Sequence, residues 1–409
     1  MRRVLISGVG VAGPTLAYWL REAGFEPTLI ERAPALRSGG YVIDFWGLGY
    51  TIAERMGLLA EINRDGYHVQ ELRIVDEAGH RLAGFRTDVF AELTGGLYIT
   101  LQRSRLSHLL YERIDGDVEA IFGDEITLVE EKLDCVEVQL KHGGKRGFDL
   151  LIGADGLHSA VRKLVFGPER KFERYLSYVV AAFEARGYRP RDEDVYLIYG
   201  QPGRMIGRFT LRDDRTLFLL VFAADRTTLP EAPEAQKMFL GRIYGEDGWE
   251  CDRMLAELER AGELYFDAVS QIRMPNWSRG RVALIGDAAF CVSLLAGQGA
   301  ALAMISAYVL AGELAAAGDR YTEAFAHYET LMRGYIERKQ RGAQRFAGAL
   351  APRTPLGMIF RNLVVRSFSV PGLARLVIGR DIADELELPS YRWPEHQMRA
   401  QHRDPTISI

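Results

Sequence analysis

Cysteine is scarce in this chain: Cys135, Cys251 and Cys291 stand far apart among 409 residues. That excludes a disulfide framework and a CxxC zinc site, and it fits a reducing compartment such as the cytoplasm. The eight histidines are scattered, without HxH or HExxH spacing, so no metal site is expected. An excess of positive charge is also missing. Lys and Arg number 51 against 55 Asp and Glu, a net charge of −4, which argues against a dedicated nucleic-acid binder. No uninterrupted apolar run reaches the roughly 18 residues of a membrane span, so no stable membrane insertion is expected. The opening MRRVLISGVGVAG is broken by glycines and reads as a first strand, not a targeting segment. No internal repeat or low-complexity stretch is visible.

What is present is a folded globular composition, 48% hydrophobic and 26% charged. At roughly 150 residues per domain the length suggests two to three domains. Glycine numbers 42, somewhat above the usual ~7%. Those glycines matter where they sit at strand ends.

The chain opens as a βαβ unit: an apolar strand, a helix over 11–23 with Pro14 in its first turn, and a second strand ending at Glu31 that pairs parallel to the first. Helices are expected over 51–62 and 104–114. Strands follow over 121–140, and the buried run DLLIGADG ends in Asp155-Gly156. From 179 to 224 the pattern is strand after strand, VVAAFEAR, DVYLIYG, MIGRFTLR and TLFLLVFAA, separated by turn residues. A helical region over 234–261 closes this stretch. The strand RVALIGDAAF then leads to a long helix from about Gln298, and helices continue to the C-terminal part.

Three glycine-bearing strand ends carry the chemistry. The first is Gly8-Val9-Gly10-Val11-Ala12-Gly13, a GxGxxG between strand and helix. Gly8 permits the tight turn, Gly10 lets a pyrophosphate approach the backbone, and Gly13 allows close helix–strand packing. The helix start offers free N–H groups and a positive dipole end. Glu31, 18 residues beyond Gly13, is placed to accept from a ribose diol. The second is Asp155-Gly156 followed by His158, Ser159 and Arg162, at the sheet edge where ligands bind in open α/β sheets. The third is Gly286-Asp287 followed by Gly297-Gln298-Gly299-Ala300. There Asp287 can bond a ribityl or ribose hydroxyl, and the N–H groups of 297–300 open a helix whose positive end faces a developing anion.

GVGVAG, GADG and GDAA…AGQG in this order resemble the FAD-dependent aromatic hydroxylases, the group A flavoprotein monooxygenases with the para-hydroxybenzoate hydroxylase fold. YVIDFWGLGY (41–50) and SAYVLAGEL (306–314) resemble the tetracycline-degrading branch most. The resemblance spans about residues 3–315. It implies that Gly8, Gly10, Val11, Ala12 and Gly13 hold the FAD pyrophosphate and Glu31 the adenosine ribose. Arg103, in RSRL, would meet the phosphate or ribityl region, with Arg32 near the adenine or the flavin. Asp155 and Gly156 would serve FAD and, transiently, NAD(P)H. Asp287 would hold the ribityl chain, and Gly297, Gln298, Gly299 and Ala300 would lie against the flavin pyrimidine. The chain departs from its relatives at Phe290, Leu294 and Ala301, where His or Tyr, Pro and Asn are usual.

The fold class so implied is α/β (α+β): a Rossmann-like FAD-binding domain (1–70, 98–170, 275–320) with an inserted antiparallel-sheet substrate domain (71–97, 171–274). C-terminal helices (321–395) and a tail (396–409) complete the chain. The function implied is an NAD(P)H- and O2-consuming monooxygenase that hydroxylates an aromatic, phenolic or polyketide-like small molecule through a flavin C4a-hydroperoxide. The flavin performs the chemistry, so no catalytic side chain is assigned. The alternatives are a flavin-dependent reductase or dehydrogenase on the same fold and a non-catalytic flavin- or ligand-binding protein. Substrate contacts are expected from Asp44, Trp46, Tyr196, Arg208, Phe218 and Leu294. Strand alternation puts Arg208 and Thr210 on one face and Phe209 on the other, and leaves open which face is inward. Residues 356–378 mix apolar side chains with Arg361, Arg366 and Arg375, as a helix packed on the domain, a dimer face or a membrane-facing surface would. A monomer or homodimer is expected.

Overall fold

A computed structural model of the chain describes residues 2–37, 39–369 and 386–393. Proline 371 and Arg375, part of the 356–378 stretch, and the tail at 396–409 lie outside the described residues.

In chain order the first elements are β1 (Arg3–Ser7), α1 (Ala12–Glu22), β2 (Glu26–Glu31), β3 (Val42–Trp46), α2 (Leu48–Arg55) and α3 (Leu59–Asp65). Next come β4 (Glu71–Val75), β5 (Arg81–Arg86), α4 (Asp88–Leu93), β6 (Tyr98–Gln102) and α5 (Arg103–Glu112). The strands β7 (Glu119–Phe122), β8 (Ile126–Glu131), β9 (Val136–Leu140), β10 (Gly144–Phe148) and β11 (Leu150–Gly153) lead to α6 (Ala160–Val165). Then follow β12 (Glu173–Arg186), β13 (Val195–Gln201), β14 (Arg204–Leu211), β15 (Arg215–Ala223), α7 (Pro233–Tyr244) and α8 (Cys251–Arg260). The last are β16 (Tyr265–Ile272), β17 (Ser278–Arg279), β18 (Val282–Leu284), α9 (Asp287–Phe290), α10 (Gly299–Ala317), α11 (Tyr321–Leu350) and α12 (Pro355–Ser367).

Two sheets organise the molecule. The first has the order β17-β18-β11-β1-β2-β7 and is parallel from β18 to β7. Its central strands β1 and β11 are apolar runs, as strands covered on both faces must be. The carboxyl ends of β1, β11 and β18 lie side by side, so three glycine-bearing motifs far apart in sequence share one sheet edge. The second sheet has the order β16-β12-β15-β14-β13-β4-β5 and is antiparallel except that β4 runs parallel to β13. A ribbon of β3 and β6 and a meander of β8, β9 and β10 complete the strands.

The outer face of the second sheet is covered by α7 and α8, with Leu240, Tyr244, Met254 and Leu258 packed on Phe183, Phe218 and Phe222. In the first half, α10 packs against α1, α2 and α11. It is apolar on every side and long enough to cross a membrane by length and composition, but most of it is buried as a core helix.

Helix boundaries differ from the sequence reading in two places. The helix expected over 51–62 is two helices, because Gly57 takes a left-handed conformation (φ +73°) that ends α2. The helical region over 234–261 is likewise divided into α7 and α8, between which Trp249 sits at φ +58°.

Candidate active site

A cavity of about 2130 Å³ runs from the β1–α1 turn, past Arg103 and Asp287, to the inner face of the seven-stranded sheet. A single small-molecule site usually measures roughly 300–1,000 Å³, so this space suits a large cofactor together with a second ligand.

At its first end, Gly8 has φ +109°, and a Cβ there would stand 2.5 Å from the Ala154 carbonyl oxygen. A side chain at Gly13 would collide with the carbonyl of Gly8. These two glycines therefore let β1, β11 and α1 close on one another. Gly10 differs: its Cβ would meet only Arg103 Nη2, at 3.8 Å, and would project into the cavity. Val11 and Ala12 follow at the start of α1, also on the cavity. This cradle fits a pyrophosphate against backbone and helix N-terminus. Glu31 accepts from Val9 N (2.9 Å) through Oε2 and from Ala33 N (3.0 Å) through Oε1, which ties the end of β2 to the glycine turn. Arg32 is exposed at the cavity margin.

The second motif is a clamp as much as a contact. Asp155 accepts from Ser159 Oγ at 2.5 Å and from Val161 N at 3.1 Å, so both carboxylate oxygens are engaged within their own loop. Ser159 in turn accepts from Arg162 N (2.9 Å) at the start of α6. Gly156 (φ +79°) has open space beside it and borders the cavity. Arg162 is fully buried and donates to Leu157 O (2.5 Å), Ala288 O (2.9 Å) and Glu169 (2.7 Å). His158 joins Asp267 on β16 (3.2 Å) to Glu169 (3.0 Å), and these two carboxylates push its pKa up to about 10.

The third motif places Asp287 at the start of α9, enclosed by protein and facing the cavity. Burial pushes its carboxyl pKa upward, opposed chiefly by the positive charge of Arg103. Arg103 opens α5, donates its backbone N–H to Tyr41 O (3.1 Å), and has its guanidinium pKa raised by Tyr41 and Asp287. Gly297, in the left-handed region at φ +66°, closes a short 3-10 turn and lies against the Trp46 ring. Gln298 is the N-cap of α10, and Gly299 and Ala300 are its first residues, with Gly299 close to the Asp287 carboxylate.

Of the expected substrate contacts, Asp44, Trp46, Tyr196 and Leu294 line the cavity. Asp44 Oδ1 accepts from Thr100 Oγ1 (2.6 Å), Tyr98 OH (2.9 Å) and Tyr196 OH (3.2 Å). Arg208 and Phe218 are corrections. Phe209 packs on the inner side with Leu217, whereas Ile206 on β14 and Phe218 on β15 face the α7–α8 layer. The Arg208 guanidinium accordingly donates to Glu250 at 2.6 Å, pairs with Asp192, and lies over Tyr188 and Trp249. Arg208 is on the cavity lining, but its guanidinium is turned to Glu250 and Asp192. Phe218 is fully buried and stacks on Phe183 at 5.2 Å.

Sequence reasoning missed Tyr98 and Thr100. The cross-strand pairs Asp44–Thr100 and Trp46–Tyr98 bring them beside residues it did single out. It also missed Phe360 and Arg361 of α12, which reach the same cavity. Of the departures from the family pattern, Phe290 is buried against Trp277 (4.7 Å) and Ala301 lies where a Cβ on Gly49 would touch it. Leu294 alone of the three borders the cavity.

A family model described as an FAD binding domain matches residues 1–338. An uncharacterised protein of Mycobacterium tuberculosis is 40% identical over 346 residues, covering 83% of this chain and 92% of its own. A flavin-dependent monooxygenase of an unknown prokaryotic organism is 34% identical over 348 residues, covering 83% and 88%. Among solved structures, tetracycline destructase Tet(55) superposes with a TM-score of 0.82 at 30% identity, covering 96% of this chain and 99% of its own.

Proposed function

The chain belongs to the FAD-binding-domain family and is a flavin-dependent monooxygenase; on that premise we propose that it consumes NAD(P)H and O2 to hydroxylate an aromatic, phenolic or polyketide-like small molecule. The observation that carries this reading is the continuity of the cavity. It runs from the glycine-rich turn to an apolar sheet face formed by Ile198, Phe209, Leu217 and Leu219, with room beyond one ligand.

In this reading Gly8, Gly10 and the first N–H groups of α1 hold the pyrophosphate, and Glu31 meets the adenosine ribose. Arg103 and Asp287 hold the ribityl region, and residues 297–300 lie against the flavin pyrimidine. The N-terminus of α10 favours negative charge at that point. Bound FAD supplies the activation of O2 and the transfer of one oxygen atom to substrate, the other leaving as water at the expense of NAD(P)H. The chain's own part is to orient the substrate with Asp44, Trp46, Tyr196 and Leu294 and to keep water from the reacting atoms with the apolar sheet face. Asp155 acts as a positioning residue through Ser159 and Val161. The proposed division is a cofactor part (1–70, 98–170, 275–320) and a substrate part (71–97, 171–274), with a cytoplasmic setting suited to the three free thiols.

The test is aerobic NAD(P)H oxidation with a panel of phenols and polycyclic ketones, in isotopically labelled O2. The expected result is substrate-stimulated oxidation, matching O2 uptake and one labelled atom in the product. NAD(P)H oxidation that reduces the substrate without incorporating label overturns it in favour of a reductase.

A further inference from the structure

Asp44 differs from Asp287, Asp155 and Glu184, which also line the cavity. Asp287 lies in the field of Arg103, and Asp155 in that of Arg162. Further along the wall, Glu184 is held by Arg215 (2.9 Å) and Gln102 (3.0 Å). Asp44 is held by hydroxyls alone, and among the described residues no Lys, Arg or His forms an ion pair with it. All three hydroxyl bonds fall on Oδ1, so none of them engages Oδ2, and Asp44 lines the cavity.

The hydroxyls fix what this spot can recognise. Burial and the neighbouring Asp44 hold the pKa values of Tyr98 and Tyr196 well above that of a free phenol, so both keep their protons and point them at the carboxylate. Three donors orient Asp44 as an acceptor. Oδ2, which none of these three bonds engages, is left to accept from a ligand. An ammonium group is donor-only and carries the missing counter-charge. Burial raises the pKa of the Asp44 carboxyl against the pull of the three hydroxyls, and a cationic ligand would favour its charged form. Trp46 stands two residues along β3 on the same face, and its cross-strand partner is Tyr98, so the surroundings are aromatic, which suits a cation further.

We propose that Asp44, oriented by Thr100, Tyr98 and Tyr196, anchors a protonated amine, and that the substrate class is therefore an amine-bearing aromatic or polycyclic molecule. This rests on the reading of the cavity as a substrate site.

The test is calorimetric titration of the FAD-loaded enzyme with tryptamine and with tryptophol, its alcohol counterpart, with no NAD(P)H present. One charge pair predicts that tryptamine binds about tenfold more tightly than tryptophol. In Asp44→Asn the preference falls to within about twofold, and in Tyr196→Phe it is intermediate. Equal binding of the two ligands, no binding of either, or a preference that survives Asp44→Asn overturns the proposal. So does loss of FAD from Asp44→Asn with the tryptamine preference of any retained holoenzyme intact, since the carboxylate then serves the flavin. Because the titration involves no turnover, an amine preference in an enzyme that fails the labelled-O2 test leaves the anchor standing and overturns only the monooxygenase reading.

Discussion

Arg162 Nη1 donates to the carbonyl oxygen of Ala288 at 2.9 Å, with its side chain wholly out of solvent. The bond joins the segment after β11 to the segment that carries Asp287, so two of the three strand-end motifs are fastened to each other by one guanidinium. Replacing Arg162 with Met leaves Ala288 O and Leu157 O without this donor, and Glu169 with His158 but without this guanidinium. A loss of about 3 kcal/mol follows from breaking a buried, hydrogen-bonded charge pair. Urea unfolding reads this directly. A midpoint equal to wild type would mean that the clamp is not a source of stability.

Gly8 and Gly10 separate packing from cofactor binding. Gly8→Ala forces a Cβ to 2.5 Å from Ala154 O at φ +109° and should lower thermal stability along with flavin content. Gly10→Val projects into the cavity, so the fold should persist by circular dichroism while the flavin absorbance per protein falls at least about tenfold. Full flavin content in Gly10→Val contradicts the assignment of this turn to the pyrophosphate.

Arg208→Met tests the turned face of β14. Its ion pairs with Glu250 and Asp192 lie in the layer under α7 and α8. Stability should fall by about 3 kcal/mol with flavin content and substrate KM unchanged. A raised KM with unaltered stability would put the guanidinium in the substrate site after all.

His158 gives a pH signature. Asp267 first, then Glu169, raise its pKa to about 10 from 6.5. A raised pKa means that the folded state binds the proton more tightly, so the contribution is complete below about pH 6.5 and is lost as pH rises through about 10. The side chain is half exposed, and solvent screening keeps the contribution to about 1 kcal/mol or less. The stability difference between wild type and His158→Gln should therefore shrink steadily from pH 6 to pH 10. A difference that is flat over that range, or that grows, removes the latch between the loop after β11 and β16.

The sequence by itself determined the frame of the site. Gly8, Gly10, Gly13, Gly156, Gly286 and Gly299 were legible because turns and close approaches demand glycine, and strand, turn and helix patterns flank them. The fold class and FAD followed from three such motifs in order. The tertiary structure decided what depends on contacts between distant segments. Alternation along β14 and β15 separates Arg208 and Phe218 from Phe209 and Leu217, but only the packing of α7 and α8 selects which face meets the cavity. Asp155 reads as a ligand contact in sequence; that it also accepts from Ser159 and Val161 is visible only once the loop folds back on itself. Tyr98 and Thr100 gain meaning only when β6 pairs with β3 and Tyr196 arrives from the other sheet. A period of two fixes that a strand has two faces; what packs against each face is settled by side chains hundreds of residues apart, where no local pattern reaches.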